Sequence, residues 1–397
     1  MTLRFTPFSV RRLAGLLAAG LFSAVVACQP DSPTPDAVRL AADNGLSALP
    51  TAVTAPPDNP SSAAKVELGR LLFWDPVLSG PRDVSCASCH HPASGYTDAL
   101  DLSIGPNGQG QGSSRHFRQP NDLPFAQRNA PTVLNVAFNG IDAAGHCDPG
   151  TAAMFWDSRA HSLEAQTLLP LATLAEMRGR QFPEAAAVDS VVARLRRIQE
   201  YQQRFGAVFG GAEPVTAANL GRALACFERS LTATDAPYDR YLRGDHAALT
   251  DEQVQGLTAF VQSGCPKCHA GPMFSDYQTH VLGVADNAKL AASDAGQNGT
   301  YAFRTPSLRQ VAATAPYMHN GTMSTLAEVV RFYDAGPRGG RASLNPNVPA
   351  SRLDALLPTR VTNQPAIVAF LGALSASSFD RSVPARVPSG LPVGGNL

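Results

Sequence analysis

Apolar residues recur every three to four positions over seven stretches: Ala63 to Phe73, Leu163 to Leu174, Ala185 to Phe205, Ala217 to Thr232, Thr250 to Ser263, Thr325 to Tyr333 and Thr362 to Leu374. That period puts one apolar stripe on each of seven amphipathic helices. Alternating strand patterns are scarce, so the chain reads as mainly α. The helix at Thr250 opens with Thr250-Asp251-Glu252-Gln253, a reciprocal cap, and ends at Gly264. Two long stretches rich in Gly, Asn and Pro, Ser103 to Pro131 and Asp286 to Thr305, interrupt the helical pattern. Irregular loops of this length in a compact protein more often cover a cofactor or carry function than simply connect.

The ends break the pattern differently. Arg4, Arg11 and Arg12 precede an apolar run, Leu13 to Ala27, that is too short to span a bilayer and is built like a secretion signal. The run closes on Val25-Val26-Ala27-Cys28, which looks like a bacterial lipoprotein cleavage box. Residues 1–27 are therefore expected as a lipoprotein-type signal peptide, Cys28 as a lipid-anchored N-terminus, and the periplasm as the compartment; an ordinary signal peptide with an incidental Cys28 is the alternative. Residues 28–62 carry Pro30, Pro33, Pro35, Pro50, Pro56, Pro57 and Pro60 and few large apolar side chains, which predicts an unpacked tether. Residues 377–397 read as a flexible tail. The body between exceeds one typical core and is expected to divide into domains at 63–244 and 245–376. Lys plus Arg and Asp plus Glu are balanced at 32 each, and no basic stripe stands out, so neither nucleic acid nor an acidic membrane surface is implied as a partner.

The chemistry sits in two pentapeptides, Cys86-Ala87-Ser88-Cys89-His90 and Cys265-Pro266-Lys267-Cys268-His269. Cys-x-x-Cys-His is the attachment signature of c-type haem. Two thiols one turn apart each take one vinyl of the same porphyrin, and the next residue offers its imidazole to the iron. Two covalent haems are expected, with His90 and His269 as proximal ligands. A thioredoxin-like dithiol or a zinc knuckle would not need a histidine at that place. Of seven cysteines, Cys28 and the four haem thiols leave Cys147 and Cys226. An oxidising compartment permits a disulfide between them, and a buried free thiol at Cys226 fits the helical pattern equally well.

Further residues carry a family resemblance. Glu67-Leu68-Gly69-Arg70-Leu71-Leu72-Phe73, Leu78-Ser79-Gly80, Arg128-Asn129-Ala130-Pro131-Thr132 and Phe155-Trp156-Asp157-Ser158-Arg159-Ala160 lie in the first half, and Phe303-Arg304-Thr305-Pro306-Ser307-Leu308-Arg309 and Ala315-Pro316-Tyr317-Met318-His319-Asn320-Gly321 in the second. Together, from about Ala63 to Leu374, they resemble the bacterial di-haem cytochrome c peroxidases and their relative MauG. The resemblance implies two cytochrome c-like haem domains with long irregular loops, the N-terminal haem peroxidatic and the C-terminal haem for electron transfer. It implies Trp156 between the haems, Gln166 and Pro170 on the distal side of the first, and Glu176 as acid/base. Cleaving a peroxide needs a proton moved from one oxygen to the other, and one carboxylate of near-neutral pKa in a desolvated pocket can make both transfers. It also implies a Ca2+ held by Asn129, Thr314 and Pro316, a hard-oxygen set.

Two departures matter. His91 and His116 lie where some relatives place a second histidine on the peroxidatic iron; neither aligns well, and both read as exposed loop residues. Tyr333 stands fourteen residues after His319, where peroxidases carry an axial Met of the second haem and MauG a Tyr; Met318 and Met323 are the competing ligands. The expected activity is reduction of hydrogen peroxide with electrons from a small cytochrome or cupredoxin. The alternatives are MauG-like oxidation of a partner protein's aromatic residues through high-valent haems, and a di-haem electron carrier without peroxide chemistry. A homodimer is left open.

Overall fold

A computed structural model of the chain describes residues 35–334, 342–358 and 360–397. The leader and Cys28 lie outside the described residues. Among the described residues the helices are α1 Asp36–Asp43, α2 Ala63–Trp74, α3 Leu163–Gln166, α4 Leu169–Ala172, α5 Ala187–Leu195, α6 Gln199–Phe209, α7 Ala217–Ser230, α8 Pro237–Leu242, α9 Asp251–Gln262, α10 Leu326–Phe332 and α11 Gln364–Gly372. Strand is confined to three antiparallel two-residue ribbons: β1 Gly108–Gln109 with β2 His116–Phe117, β3 Ala153–Met154 with β4 Ala160–His161, and β5 Thr279–His280 with β6 Phe303–Arg304. None of these helices is long and apolar enough to cross a membrane.

The apolar stripes converge on two main clusters. One gathers Leu68, Leu72 and Phe73 of α2, Val191 and Leu195 of α5, Tyr201 and Phe205 of α6, and Leu220, Leu224 and Phe227 of α7. The other gathers Tyr238 of α8, Leu257 and Phe260 of α9, Phe274, and Phe370 and Leu371 of α11. Each is built on a helix pair that meets at a glycine. A Cβ on Gly69 of α2 would lie 2.1 Å from the Ala223 carbonyl oxygen of α7, and one on Gly256 of α9 would lie 1.9 Å from that of Ala366 in α11. Helices so close bury their backbones against each other as well as their side chains.

Two expected helices are broken. Leu163 to Leu174 becomes α3, α4 and then a wide π-turn over Leu174–Arg178. Pro170 sits in the first turn of α4, where its missing N–H costs nothing, but it cannot continue a helix from α3. The stretch from Ala185 turns at Arg196–Ile198 and resumes as α6, so that both halves face the first cluster.

The expected tether and tail are corrected. From Asp36 onward the segment before α2 is packed: Ala37, Ala41, Leu46 and Leu49 are buried, the first three in the second cluster. The Leu49 N–H donates to Asp239 Oδ1 at 2.8 Å, Arg309 Nη2 to the Ser47 carbonyl at 3.1 Å, and the Gly271 N–H to that of Gly45 at 2.9 Å. The tail packs on the other cluster, with Val387 buried and Leu391, Val393 and Leu397 against it. Apolar side chains and hydrogen bonds to distant residues together make both attachments, and the local pattern does not record those partners. Residues Asp36–Leu397 form one compact unit.

Candidate haem cavity and distal site

Each Cys-x-x-Cys-His motif folds as a 3-10 turn, Cys86–Ser88 and Cys265–Lys267, with the histidine N–H bonded back to the first cysteine's carbonyl at 2.9 Å in both. That turn carries the cysteine pair and its histidine toward one side. The His90 Nδ1 lies 3.2 Å from the Tyr96 carbonyl and the His269 Nδ1 2.9 Å from that of Phe274. A carbonyl only accepts, so Nδ1 carries the proton and Nε2 keeps its lone pair for a metal. Burial lowers the pKa of both imidazoles, which favours the neutral, ligating form. None of the four is in a disulfide. Burial pushes Cys86 well up and Cys89, Cys265 and Cys268 up to about 12, so they stand as thiols, the form that adds across a vinyl group. All six residues line a single cavity of about 810 Å³. Thiols, oriented imidazoles and apolar walls fit two covalent haems.

The turn that carries Glu176 lines the same cavity as the first motif. Met177 and Arg178 both return their N–H groups to the Thr173 carbonyl, and Gly179 to that of Leu174, which widens the turn to π geometry. Such bulges are rare and concentrate at functional sites. Glu176 is half-buried and lines the cavity together with Gln166, Pro170 and Trp156. Burial raises its carboxyl pKa, opposed by the positive charges of Arg159 and Arg128. Two glycines grip this turn. A Cβ on Gly80 would lie 1.9 Å from the Arg178 carbonyl oxygen, and one on Gly105 would lie 2.1 Å from that of Ala175. Each gripping loop is held by an arginine spent on carbonyls: Arg194 donates to Val77, Ser79 and Gly80, and buried Arg115 to Ile104, Gly105, Gly110 and Asn396. Sequence reasoning missed both arginines, since an arginine spent on main-chain carbonyls, whether at the end of α5 like Arg194 or in a loop like Arg115, carries no pattern of its own.

Trp156 lies in the turn between β3 and β4 and ties the halves together. Its Nε1 donates to the Asn129 carbonyl at 3.0 Å, and its own carbonyl accepts the Arg304 N–H at 2.6 Å. Arg128 forks onto Asp294 at 2.6 and 3.0 Å and pairs with Asp157 at 2.7 Å. Its guanidinium lies 5.4 Å from the centre of the Phe303 ring, and Phe303 stacks on His319 with centroids 3.7 Å apart. Burial lowers His319 to about 4, so it is neutral. The candidate calcium residues Asn129, Thr314 and Pro316 all reach the cavity wall; the Asn129 Nδ2 donates to the Leu100 carbonyl, leaving Oδ1 as acceptor. Tyr333 and Met318 also line the cavity, whereas Met323 is not among its lining residues.

His91 and His116 are absent from the cavity wall. His91 packs edge-on against Trp74 and accepts the Ala93 N–H, and His116 is exposed. Cys147 and Cys226 are free thiols, Cys226 buried with its Sγ 3.6 Å from Ser61 Oγ and Cys147 directed at the Asn139 carbonyl. Glu228 is an unforeseen acid on the wall, set in α7 one turn after Leu224 and raised to about 8 by burial.

The family model of the di-haem cytochrome c peroxidases matches residues 63–247. The methylamine utilization protein MauG of Methylorubrum extorquens is 33% identical over 81% of this chain and 84% of its own. The cytochrome c551 peroxidase of Pseudomonas aeruginosa is 33% identical over 82% of this chain and 83% of its own. A crystal structure of a MauG-like protein associated with microbial copper homeostasis superposes with a TM-score of 0.65 at 28% identity, covering 83% of this chain and 95% of that one. With two haem motifs on one cavity and relatives aligned along most of its length, the chain belongs to the di-haem cytochrome c peroxidase and MauG family of oxidoreductases.

Proposed function

We propose that the protein reduces hydrogen peroxide at the N-terminal haem with electrons that enter through the C-terminal haem. Bound through Cys86, Cys89 and His90 and through Cys265, Cys268 and His269, the haems supply an iron site for a peroxide oxygen and a store of electrons. The observation that carries this reading is Glu176, a carboxyl raised by burial on a π-turn that lines the same cavity as the first motif, Gln166 and Pro170. An electron carrier has no use for such a group. Its carboxylate takes the proton from one peroxide oxygen and hands it to the other, so that water departs. The Arg128 and Arg159 charges limit the rise of its pKa, keeping the carboxylate form available. Two electrons and two protons then convert one peroxide to two waters. Trp156, bonded to both halves, offers the aromatic path between the haems.

The electrons come from a small cytochrome or cupredoxin, in a periplasmic setting that the leader and the attachment chemistry support, with Cys28 as lipid anchor. Asn129, Thr314 and Pro316 would hold a Ca2+ through oxygen donors. Glu176→Gln is expected to keep both haems and slow the reaction with peroxide by roughly 10²-fold, the usual scale for a lost general acid/base. Stopped-flow mixing measures it, and an unchanged bimolecular rate removes Glu176 from the mechanism.

A second reading is favoured by Tyr333, which faces the cavity where an axial Met would otherwise be expected. A phenolate ligand lowers the potential of the second haem and suits MauG-like oxidation of a partner protein.

A further inference from the structure

The last eleven residues do more than cover the first apolar cluster. Ser389 is tied to Asp75 twice, Oγ to Oδ1 at 2.6 Å and N–H to Oδ2 at 3.2 Å, which anchors the segment behind α2. Beyond it the Gly394 N–H donates to the Trp74 carbonyl at 2.8 Å, and the Gly394 carbonyl accepts the hydroxyl of Ser88 at 3.1 Å. Ser88 stands between Cys86 and Cys89, so the tail touches the haem-attachment turn itself. Gly395 bridges Val84, and Asn396 donates to the Asp83 carbonyl at 2.8 Å. The Asn396 carbonyl then accepts both the Gly110 N–H at 3.1 Å and Arg115 Nη1 at 3.2 Å. Arg115 is the buried side chain that also holds Ile104 and Gly105, and Gly105 is the glycine pressed against the turn of Glu176.

We propose that residues 387–397 are a positioning strap for the distal acid: they lock the first haem-attachment turn through Ser88 and, through Asn396, Arg115 and Gly105, set the π-turn that presents Glu176. One end of the strap bonds the attachment turn directly and the other reaches the π-turn through Arg115 and Gly105, so it links the two. Six of these seven hydrogen bonds use main-chain groups of the strap, so they depend little on its own side chains. The proposal rests on the reading of Glu176 as the proton-transfer group.

The test uses the full-length protein with both haems attached. Gly395 has φ +77°, and a Cβ there would lie 2.3 Å from the Asp83 carbonyl oxygen, so Gly395→Ala lifts the strap. Gly210, at the end of α6 and outside the strap, has φ +66° with nothing within 4 Å of its Cβ, so Gly210→Ala adds similar backbone strain without the clash and is the control. Gly395→Ala is expected to retain two covalent haems and an unaltered C-terminal haem spectrum, slow the reaction with hydrogen peroxide by about tenfold or more, and displace the pH at which that rate is half-maximal. Gly210→Ala is expected to do none of this. The pH profile reports the surroundings of Glu176, which a loosened core elsewhere would leave in place. Arg115→Lys, which keeps the charge but cannot span the same carbonyls, is expected to show the same displacement and decides the matter if Gly395→Ala does not accumulate. An unchanged rate and pH profile in the accumulating variant overturns the strap. Glu176→Gln in parallel separates the two ideas: if it reacts as the parent does, the assignment of Glu176 has failed, and if it is slow while the strap variants are not, the strap alone has failed.

Discussion

Glu176 and Glu228 are acids raised by the same cause, burial, yet their surroundings give them different parts. For Glu176 the rise is opposed by the charges of Arg159 and Arg128, whereas Glu228 sits beside Leu224 and Cys86, with Arg229 opposing its rise and Glu164 adding to it. The folded state binds the Glu228 proton more tightly than the unfolded chain does. Stability therefore declines as pH rises from the ordinary carboxyl value of 4.5 to the folded value of about 8, and levels off above it. Glu228→Gln is expected to match the parent near the bottom of this window and to melt a few degrees higher above its top, at roughly 2 °C per kcal/mol for a chain of this size. Thermal melts across that range check it; a difference independent of pH would reject it. For Tyr333, ferric spectra decide. If it is an axial ligand, Tyr333→Phe alters the C-terminal haem spectrum, while a charge-transfer band of Met ligation surviving unchanged in both proteins would assign the iron to Met318 instead.

Helices that carry a motif are positioned by the places where they touch. The crossing of α9 and α11 at Gly256 holds the helix that leads straight into Cys265. Gly256→Ala forces the backbones apart and is expected to cost about 1–3 kcal/mol, the scale of an overpacked core. Denaturant unfolding followed at the haem bands reads the loss; a midpoint equal to the parent's would show that the crossing relaxes freely. The reciprocal cap at Thr250 and Gln253 is present as its sequence predicts, and Leu326–Phe332 shares the device through Thr325 and Glu328. The π-turn after α4 had no such signal. Its conformation comes from the loops at Gly80 and Gly105, which lie far from it in the chain.

Within the unit Asp36–Leu397, the segments flanking the helical body cross over. The segment before α2 joins the cluster of the second haem motif, and the tail joins that of the first. Asp239 and Arg309 form a fully buried pair at 3.0 Å, and their remaining bonds reach Leu49, Ser47 and Pro272. Asp239→Asn leaves a buried guanidinium without its counter-charge and is expected to cost about 3–5 kcal/mol. Chemical denaturation measures this, and a cost under about 1 kcal/mol would mean that water reaches Arg309.

The sequence by itself determined the class, most of the longer helices and the haem-attachment motifs, because a 3.6-residue period and a five-residue attachment motif act over distances of one or two turns. It also marked Glu176, Trp156 and Tyr333 through their neighbours, and all three line the cavity. The folded structure alone decided that 36–49 and 387–397 pack. It also decided that Arg115 and Arg194 hold the distal turn, and that one cavity serves both motifs. Those features are made by backbone carbonyls and N–H groups meeting across hundreds of residues, and every residue presents the same main-chain groups whatever its side chain. Nothing in a local pattern can record such partners; only the closed fold selects them.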